Sequence, residues 1–185
     1  MGLVKYLKLT VAVVLSLATF SSCTKEGADF FRGTYGYTLS GVLNCEYDVT
    51  TLQEAEDGSM EEVTEVRTAD FQLVAGRGVM HLEPKGDAMV LTMSSIAGNT
   101  LGADARVNGT DVDVAKTKHS ISVLVDGVVT AVEVTLGGSG YKTNGLLVLD
   151  LKLEGTEFTA SDLLGEETQY RVKGGSASCV ATLQE

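Results

Sequence analysis

One stretch limits the fold of this chain more than any other. From Ile121 to Leu136, aliphatic residues alternate with small or polar ones on both sides of Asp126-Gly127. An Asp-Gly pair suits a two-residue type I′ hairpin turn, whose central residues both need positive φ. Folding there sets Val125 opposite Val128, Val123 opposite Thr130 and Ile121 opposite Val132. Ile121, Val123, Val125, Val128, Val132, Val134 and Leu136 then share one face. That face must be buried, because so many exposed aliphatics would exceed the apolar patch a soluble protein tolerates. The opposite face holds Ser120, Ser122, Glu133 and Thr135, with Leu124 and Val129 as apolar exceptions. A slip of one residue would mix the two faces, so turn and pattern support each other.

The rest of the chain repeats this grammar. Asn108-Gly109 predicts a second type I′ hairpin, with Val107 opposite Thr110, Ala105 opposite Val112 and Ala103 opposite Val114. The first strand runs through Gly33–Gly41, where Tyr35, Tyr37 and Leu39 fall at period two. Asp57-Gly58 predicts a hairpin pairing Leu52 with Val63, Val49 with Val66 and Asp48 with Arg67. The alternative there is a short helix, capped by Thr51 and Glu54 and ended by Gly58. Phe71–Leu73 and Val79–Glu83 flank a turn at Gly76–Gly78, and a turn at Pro84–Asp87 feeds Ala88–Ile96. Gly137–Gly140 is expected to break the chain before a strand at Gly145–Glu154. Ser161–Gly165 suits one helical turn capped by Ser161, and Thr168–Lys173 and Ala177–Leu183 suit a closing pair of strands. Twenty-one glycines against one proline fit so many tight turns. The expected fold is therefore all-β: an antiparallel meander of about ten to twelve strands with at most one or two helical turns. Such a meander closes into a barrel or, alternatively, folds into a sandwich to hide its edges.

Chemistry-bearing residues are sparse. His81 and His119 lie far apart in strand segments and belong to no metal-ligand spacing. Gly137–Gly140 lacks the final glycine of a nucleophile elbow, since position 141 is Tyr141. No phosphate loop or dinucleotide fingerprint is present. The chain is therefore expected to be non-enzymatic, with no catalytic residues, metal or cofactor. Its 25 acidic residues against 14 basic ones, a formal charge of −11, disfavour nucleic acid as a partner.

The first two dozen residues carry a different message. Lys5 and Lys8 precede an apolar run from Leu9 to Phe20, and Ser21-Ser22 stand directly before Cys23. The run falls short of the roughly 20 residues a membrane-spanning helix needs. Small residues before a cysteine at the end of such a run resemble the lipobox of bacterial lipoproteins. The Cys23-Thr24-Lys25-Glu26 continuation is similar to that of Bacteroidota lipoproteins. The resemblance implies a cleaved signal at 1–22, a lipidated Cys23, a tether over 23–30 and one β domain over 31–185. It also implies outer-membrane anchoring in the cell envelope, on the periplasmic or the surface side. Membrane attachment would rest on the lipid alone, because no basic patch assists it. In an oxidising envelope the remaining cysteines, Cys45 and Cys179, are expected to form a disulfide joining the first and last strands. Closing a loop of such length contributes about 5 kcal/mol in the chain-entropy treatment.

Gly33-x-Tyr35 resembles the Gly-x-Trp start of lipocalins, with Tyr in place of Trp. In that family an arginine of the last barrel strand packs over the aromatic, which assigns that role to Arg171. The pattern is also similar to calycin-like lipoproteins of Bacteroidota, small acidic antiparallel chains behind a lipobox. The resemblance implies a calycin-like barrel whose interior is either fully packed or holds a small hydrophobic ligand. The residues themselves offer liners for such a site. Met80, Met89 and Met93 are adaptable apolar side chains, and Leu146 and Val148 belong to a run that is apolar on both faces. Two functions follow: a lipid-anchored binding module for a small hydrophobic ligand, or an accessory surface protein acting through protein contacts. A connected apolar cavity of roughly 300 Å3 or more distinguishes the first.

Overall fold

The Asp126-Gly127 turn forms as its residue types require. The computed structural model describes residues 27–74, 76–86, 88–95 and 100–184. There Asp126 has φ 46° and Gly127 φ 86°, the two positive values of a type I′ turn. The expected leader 1–22 and Cys23 lie outside the described residues. The described chain begins with a four-residue helix, α1 (Ala28–Phe31), and continues in ten strands. These are β1 (Gly33–Glu54), β2 (Met60–Gln72), β3 (Gly76–Lys85), β4 (Ala88–Ser95) and β5 (Thr100–Asn108). After them come β6 (Asp111–Val125), β7 (Val128–Thr143), β8 (Leu146–Glu154), β9 (Glu157–Ser161) and β10 (Glu167–Leu183). Among the described residues no helix is long and apolar enough to cross a membrane.

All the strand pairs are antiparallel, and β1, β3 to β8 and β10 close into a ring through the β1–β10 pairing. The ring is not a regular barrel. β1 and β10, of 22 and 17 residues, run beyond it and carry β2 and β9 on their outer edges. The order β2-β1-β10-β9 thus forms a four-stranded extension at one end. At the junction Asn44 faces Gly174 and Cys45 faces Val172, so Lys173 is the extra residue of a bulge. Tyr170 anchors the inner side of the extension, with ring centroids of Phe71, Phe158 and Tyr47 at 4.9, 5.3 and 5.3 Å. Buried Val123, Val125 and Val132 of the β6–β7 hairpin join the same core, and Leu73 bridges to Val123. The meander therefore closes as a ring at one end and adds a four-stranded sheet at the other.

The Asp126-Gly127 register stands as the pattern demands: Val125 faces Val128, Val123 faces Thr130 and Ile121 faces Val132. Its apolar face is buried apart from half-buried Val128, while Leu124 and Val129 are 47% and 61% exposed. Elsewhere the turns differ from expectation. At Asn108-Gly109 the loop residues are Gly109 and Thr110, so Val107 pairs with Val112 and Ala105 with Val114. Gly109 alone takes positive φ, 60°, as a type II′ turn with glycine first requires. That two-residue shift leaves every side chain on its expected face.

The Asp57-Gly58 hairpin forms with its register displaced by one: Thr51, not Leu52, faces Val63. The cause is a five-residue loop over 55–59, in which the Ala55 N–H donates to the Ser59 carbonyl at 2.8 Å. The Asp57 carboxylate accepts from the Ser59 N–H at 2.9 Å, so the loop closes on Asp57 itself and the alternative helix does not form. The loop over 162–166 has the same backbone bonds. There Asp162, rather than Ser161, accepts from the Leu164 and Glu166 N–H groups, so no helical turn forms.

Gly76–Gly78 open strand β3 and Gly137–Gly140 lie inside β7, so neither is a turn, and β10 continues past its bulge through Gly174-Gly175. A Cβ on Gly138 would stand 2.1 Å from the Asp150 carbonyl oxygen, and on Gly140 2.0 Å from that of Val148. Glycine here permits close approach of neighbouring backbones where the ring curves tightly.

The expected disulfide is absent: Cys45 and Cys179 are free and buried. The first and last strands do pair, but in a register that sets Cys179 against Leu39 and Cys45 against Val172. Six residues of β1 separate Cys45 from the position facing Cys179, roughly 20 Å along the strand. A disulfide needs Cα atoms within about 7 Å. Burial raises the Cys45 and Cys179 thiols to about 11 and about 12, with Asp70 adding to the first.

Candidate ligand cavity

The ring is closed at the end where β1 begins. Helix α1, whose first three residues fall in the expected tether, instead packs on the ring with Phe31 buried and Phe30 half-buried. The Tyr35 hydroxyl donates to the Phe31 carbonyl at 2.7 Å, and the Lys142 ammonium donates to the Phe30 carbonyl. Lys142 lies 5.3 Å from the Tyr35 ring centroid and 4.8 Å from that of Phe30. Its burial pushes its pKa down, and the two ring faces and the carbonyl compensate the desolvated charge. The cation over the first-strand aromatic is therefore Lys142 of β7, not Arg171. Arg171 sits on the extension, where its guanidinium pairs bidentately with Asp48 at 2.8 and 2.7 Å. The β1–β10 register places Tyr35 against Leu183, twelve positions from Arg171 on β10.

Toward the other end the wall opens between β5 and β6. Their ladder covers only Ala105–Asn108 with Asp111–Val114, and β6 bulges between Val114 and Thr117. Lys116 in the bulge holds Glu154 at 2.6 and 2.8 Å. Beyond it β6 leaves β5 and is held by the segment between β2 and β3, where the Val74 N–H donates to the Ser122 carbonyl at 2.8 Å. The separated strands leave a cavity of about 420 Å3, within the range of small-molecule sites, ~300–1,000 Å3.

The inner wall is apolar: Tyr37, Met93, Leu101, Ile121, Leu136, Leu151, Leu153 and Ala177 are buried and line it. Val74, Arg77 and Ser120 are exposed at its rim, and half-buried Leu39, Ser95, His119 and Ser122 lie between. Burial lowers the pKa of His119, against the opposing pull of Glu133, so the imidazole is neutral near pH 7. A neutral imidazole donates one hydrogen bond from its N–H and accepts one at its other ring nitrogen.

Of the five residues expected from sequence as ligand liners, Met93 alone lines this cavity. Met80 and Met89 are fully buried but fill the core nearer the closed end, where Met80 faces Tyr35 and Met89 faces Pro84. Leu146 and Val148 point out of the ring, because β8 turns Leu147, Leu149, Leu151 and Leu153 inward. Their run is apolar on both faces because Tyr141 and Val180 flank Val148 on the outer surface. Leu151 and Leu153 are the β8 residues that reach the cavity. His119 carried a readable signal: counting back by twos from Val125, Val123 and Ile121 puts it on the buried face. Arg77 carried none, since its rim position depends on the β2–β3 segment crossing to β6.

Among the described residues no cluster of three or more His, Cys, Asp or Glu side chains could hold a metal ion. No protein-family model and no curated protein matches the chain.

Proposed function

We propose that this chain is a lipid-anchored protein of the cell envelope, attached to the outer membrane through Cys23. In this reading it is a non-enzymatic binding module for a small hydrophobic ligand, of the calycin-like lipoprotein kind its sequence resembles. The observation that carries the binding reading is the cavity of about 420 Å3 with its aliphatic inner wall. Its volume exceeds the ~300 Å3 that separates a binding site from a packing defect, and α1 and Lys142 close the opposite end. Native mass spectrometry of protein purified from its own host tests it: a retained small apolar molecule is expected. The empty mass, with no uptake of added alkyl compounds, would refute the binding function. Anchoring is tested separately by Cys23→Ala, which should release the protein from membranes; retention of that variant without acyl label would refute the lipid anchor.

A second reading, action through protein contacts, draws on one feature. Leu163 and Leu164 stand 78% and 87% exposed on the loop that Asp162 fixes. Replacing both with Ser should leave ligand uptake intact under the first reading and abolish partner co-purification under the second.

A further inference from the structure

The β1–β2 hairpin reaches past the rest of the extension. The β1–β10 ladder ends at Glu46 with Arg171, whereas β1 and β2 stay paired as far as Glu54 with Met60. Beyond Glu46, β2 is therefore the only strand paired with β1 among the described residues. No residue from Asp48 to Thr68 is buried, so this arm meets solvent on both faces. Two strands without a buried face are marginal in water, and a third strand is what makes such a unit stable.

The outer edge of β2 is fit to receive that third strand. Among the described residues β2 pairs with β1 alone, so half of its backbone N–H and C=O groups face away from the ladder. The β1–β2 register is unbroken along the whole strand, and Met60–Gln72 contains no proline, lysine or glycine. The bulges, prolines and lysines that usually blunt an exposed edge are missing from it. Val63, Thr64, Val66 and Thr68 are β-branched and favour the extended backbone that pairing needs.

Charge selects the occupant. Glu54, Glu56, Asp57, Glu61, Glu62 and Glu65 crowd the arm between positions 54 and 66, with no basic residue among them. Among the described residues Glu65 alone of the six enters an ion pair, with Arg67 at 3.6 Å. A second copy of the chain would set this charge against itself. Lysine or arginine side chains beside Glu61, Glu62 and Glu65 would instead gain cross-strand charge pairs. We propose that the β2 edge from Met60 to Thr68 is a docking site for a cationic extended segment of a partner protein, which adds to the sheet as a further strand. Backbone hydrogen bonds supply the affinity and the carboxylates the choice of partner. This surface is independent of the cavity.

The test titrates the full chain, in non-ionic detergent, with three short fluorescent peptides. One alternates lysine with valine and threonine, one carries glutamate in place of lysine, and one is the lysine peptide with every backbone amide N-methylated. The first should bind about tenfold or more tighter than the other two and should slow amide hydrogen exchange across positions 60–68. Glu61→Lys combined with Glu62→Lys should reverse the preference in favour of the glutamate peptide. Both side chains are exposed, so the double variant should keep the parent's thermal midpoint. Equal binding of the lysine and glutamate peptides, or no binding of either, overturns the proposal. Undiminished binding of the N-methylated peptide would show charge attraction without strand addition and overturns it too, as does protection that falls outside β2. A dimer whose 60–68 amides are protected without any peptide gives the edge to a second copy and refutes the cationic partner.

Discussion

Two glycine-to-alanine substitutions, identical in chemistry, should change stability in opposite directions. Gly102 lies in β5 with nothing within 4 Å of where its Cβ would stand, and it is exposed. Glycine in a strand interior costs roughly 0.5–1 kcal/mol relative to alanine, because the unfolded chain gives up more freedom. Gly102→Ala should therefore stabilise by about 0.5 kcal/mol. Gly138 receives the same entropic gain, but its Cβ would stand 2.1 Å from the Asp150 carbonyl oxygen and 2.9 Å from the Leu151 Cα. Both are backbone atoms of β8, so no rotamer change relieves the overlap; β7 and β8 must separate. Overpacking of this kind costs typically 1–3 kcal/mol, and less the gain it leaves a net loss of about 1–2 kcal/mol. Urea melts of the two variants against the parent, with m held constant, measure the difference. A neutral or stabilising Gly138→Ala would mean that β7 and β8 do not approach as described, and that 137–140 is the loop its composition suggests.

The β6–β7 hairpin gives a second contrast. Val123, fully buried, loses two methyl groups' worth of burial on Val123→Ala, about 1.6 kcal/mol plus a cavity cost, whereas Leu124→Ala and Ser122→Ala should each cost under 1 kcal/mol; equal losses at 122 and 123 would refute the face assignment. Cys45 and Cys179 should resist alkylation in the native protein, since burial and raised pKa values keep the thiols protonated, and both should react after unfolding without reductant; two thiols missing from the unfolded chain that appear only after reduction would restore the disulfide. His119 takes its proton less readily folded than unfolded, so its contribution is complete above about pH 6.5 and is lost as pH falls below it. Thermal melts from pH 7.5 to 5 should show a shallower acid-side decline in His119→Gln than in the parent, and parallel curves would show that His119 is not desolvated. Asp48→Asn should leave the urea midpoint close to the parent's despite the bidentate geometry with Arg171, because both side chains are more than a third exposed and solvent screens the pair.

What the sequence disclosed and what it withheld follow from the range of the interactions involved. The Asp126-Gly127 register was readable because a two-residue turn and a period-two pattern act over neighbouring residues, each able to contradict the other. The Asp57-Gly58 register was not, because the carboxylate of Asp57 folds onto Ser59 and lengthens the loop, and few aliphatics flank it to oppose the slip. Glycine was the least legible residue. The same type serves Gly127, where the backbone must take positive φ, and Gly138, where another strand's carbonyl occupies the space of a side chain. Only the second strand's position tells these uses apart. The disulfide expectation failed for a related reason: the parity of cysteines carries no register, and the β1–β10 ladder decides which residues face each other.

The cavity itself belongs to this long-range class, and its origin can be traced step by step. A ring of strands with an alternating apolar interior would ordinarily fill its own centre. Here β6 and β7, of 15 and 16 residues, are too long for the ring alone, and their distal aliphatics bury only by leaning toward Phe71 and Tyr170 on the extension. The bulge at Ala115-Lys116, held by Glu154, releases β6 from β5 at the level where that lean begins. The segment between β2 and β3 then supplies backbone partners that β5 no longer gives, through Leu73 with Val123 and Val74 with Ser122. The two strands of the wall thus keep separate ladders, β5 with β4 and β6 with β7, and β6 gains backbone contacts from that crossing segment. A void lined by leucines and left dry forfeits dispersion contacts on every wall, so a bound apolar chain would restore what the separation of β5 and β6 removed. Stabilisation of the fold on uptake of an alkyl compound is therefore the thermodynamic counterpart of the opening itself.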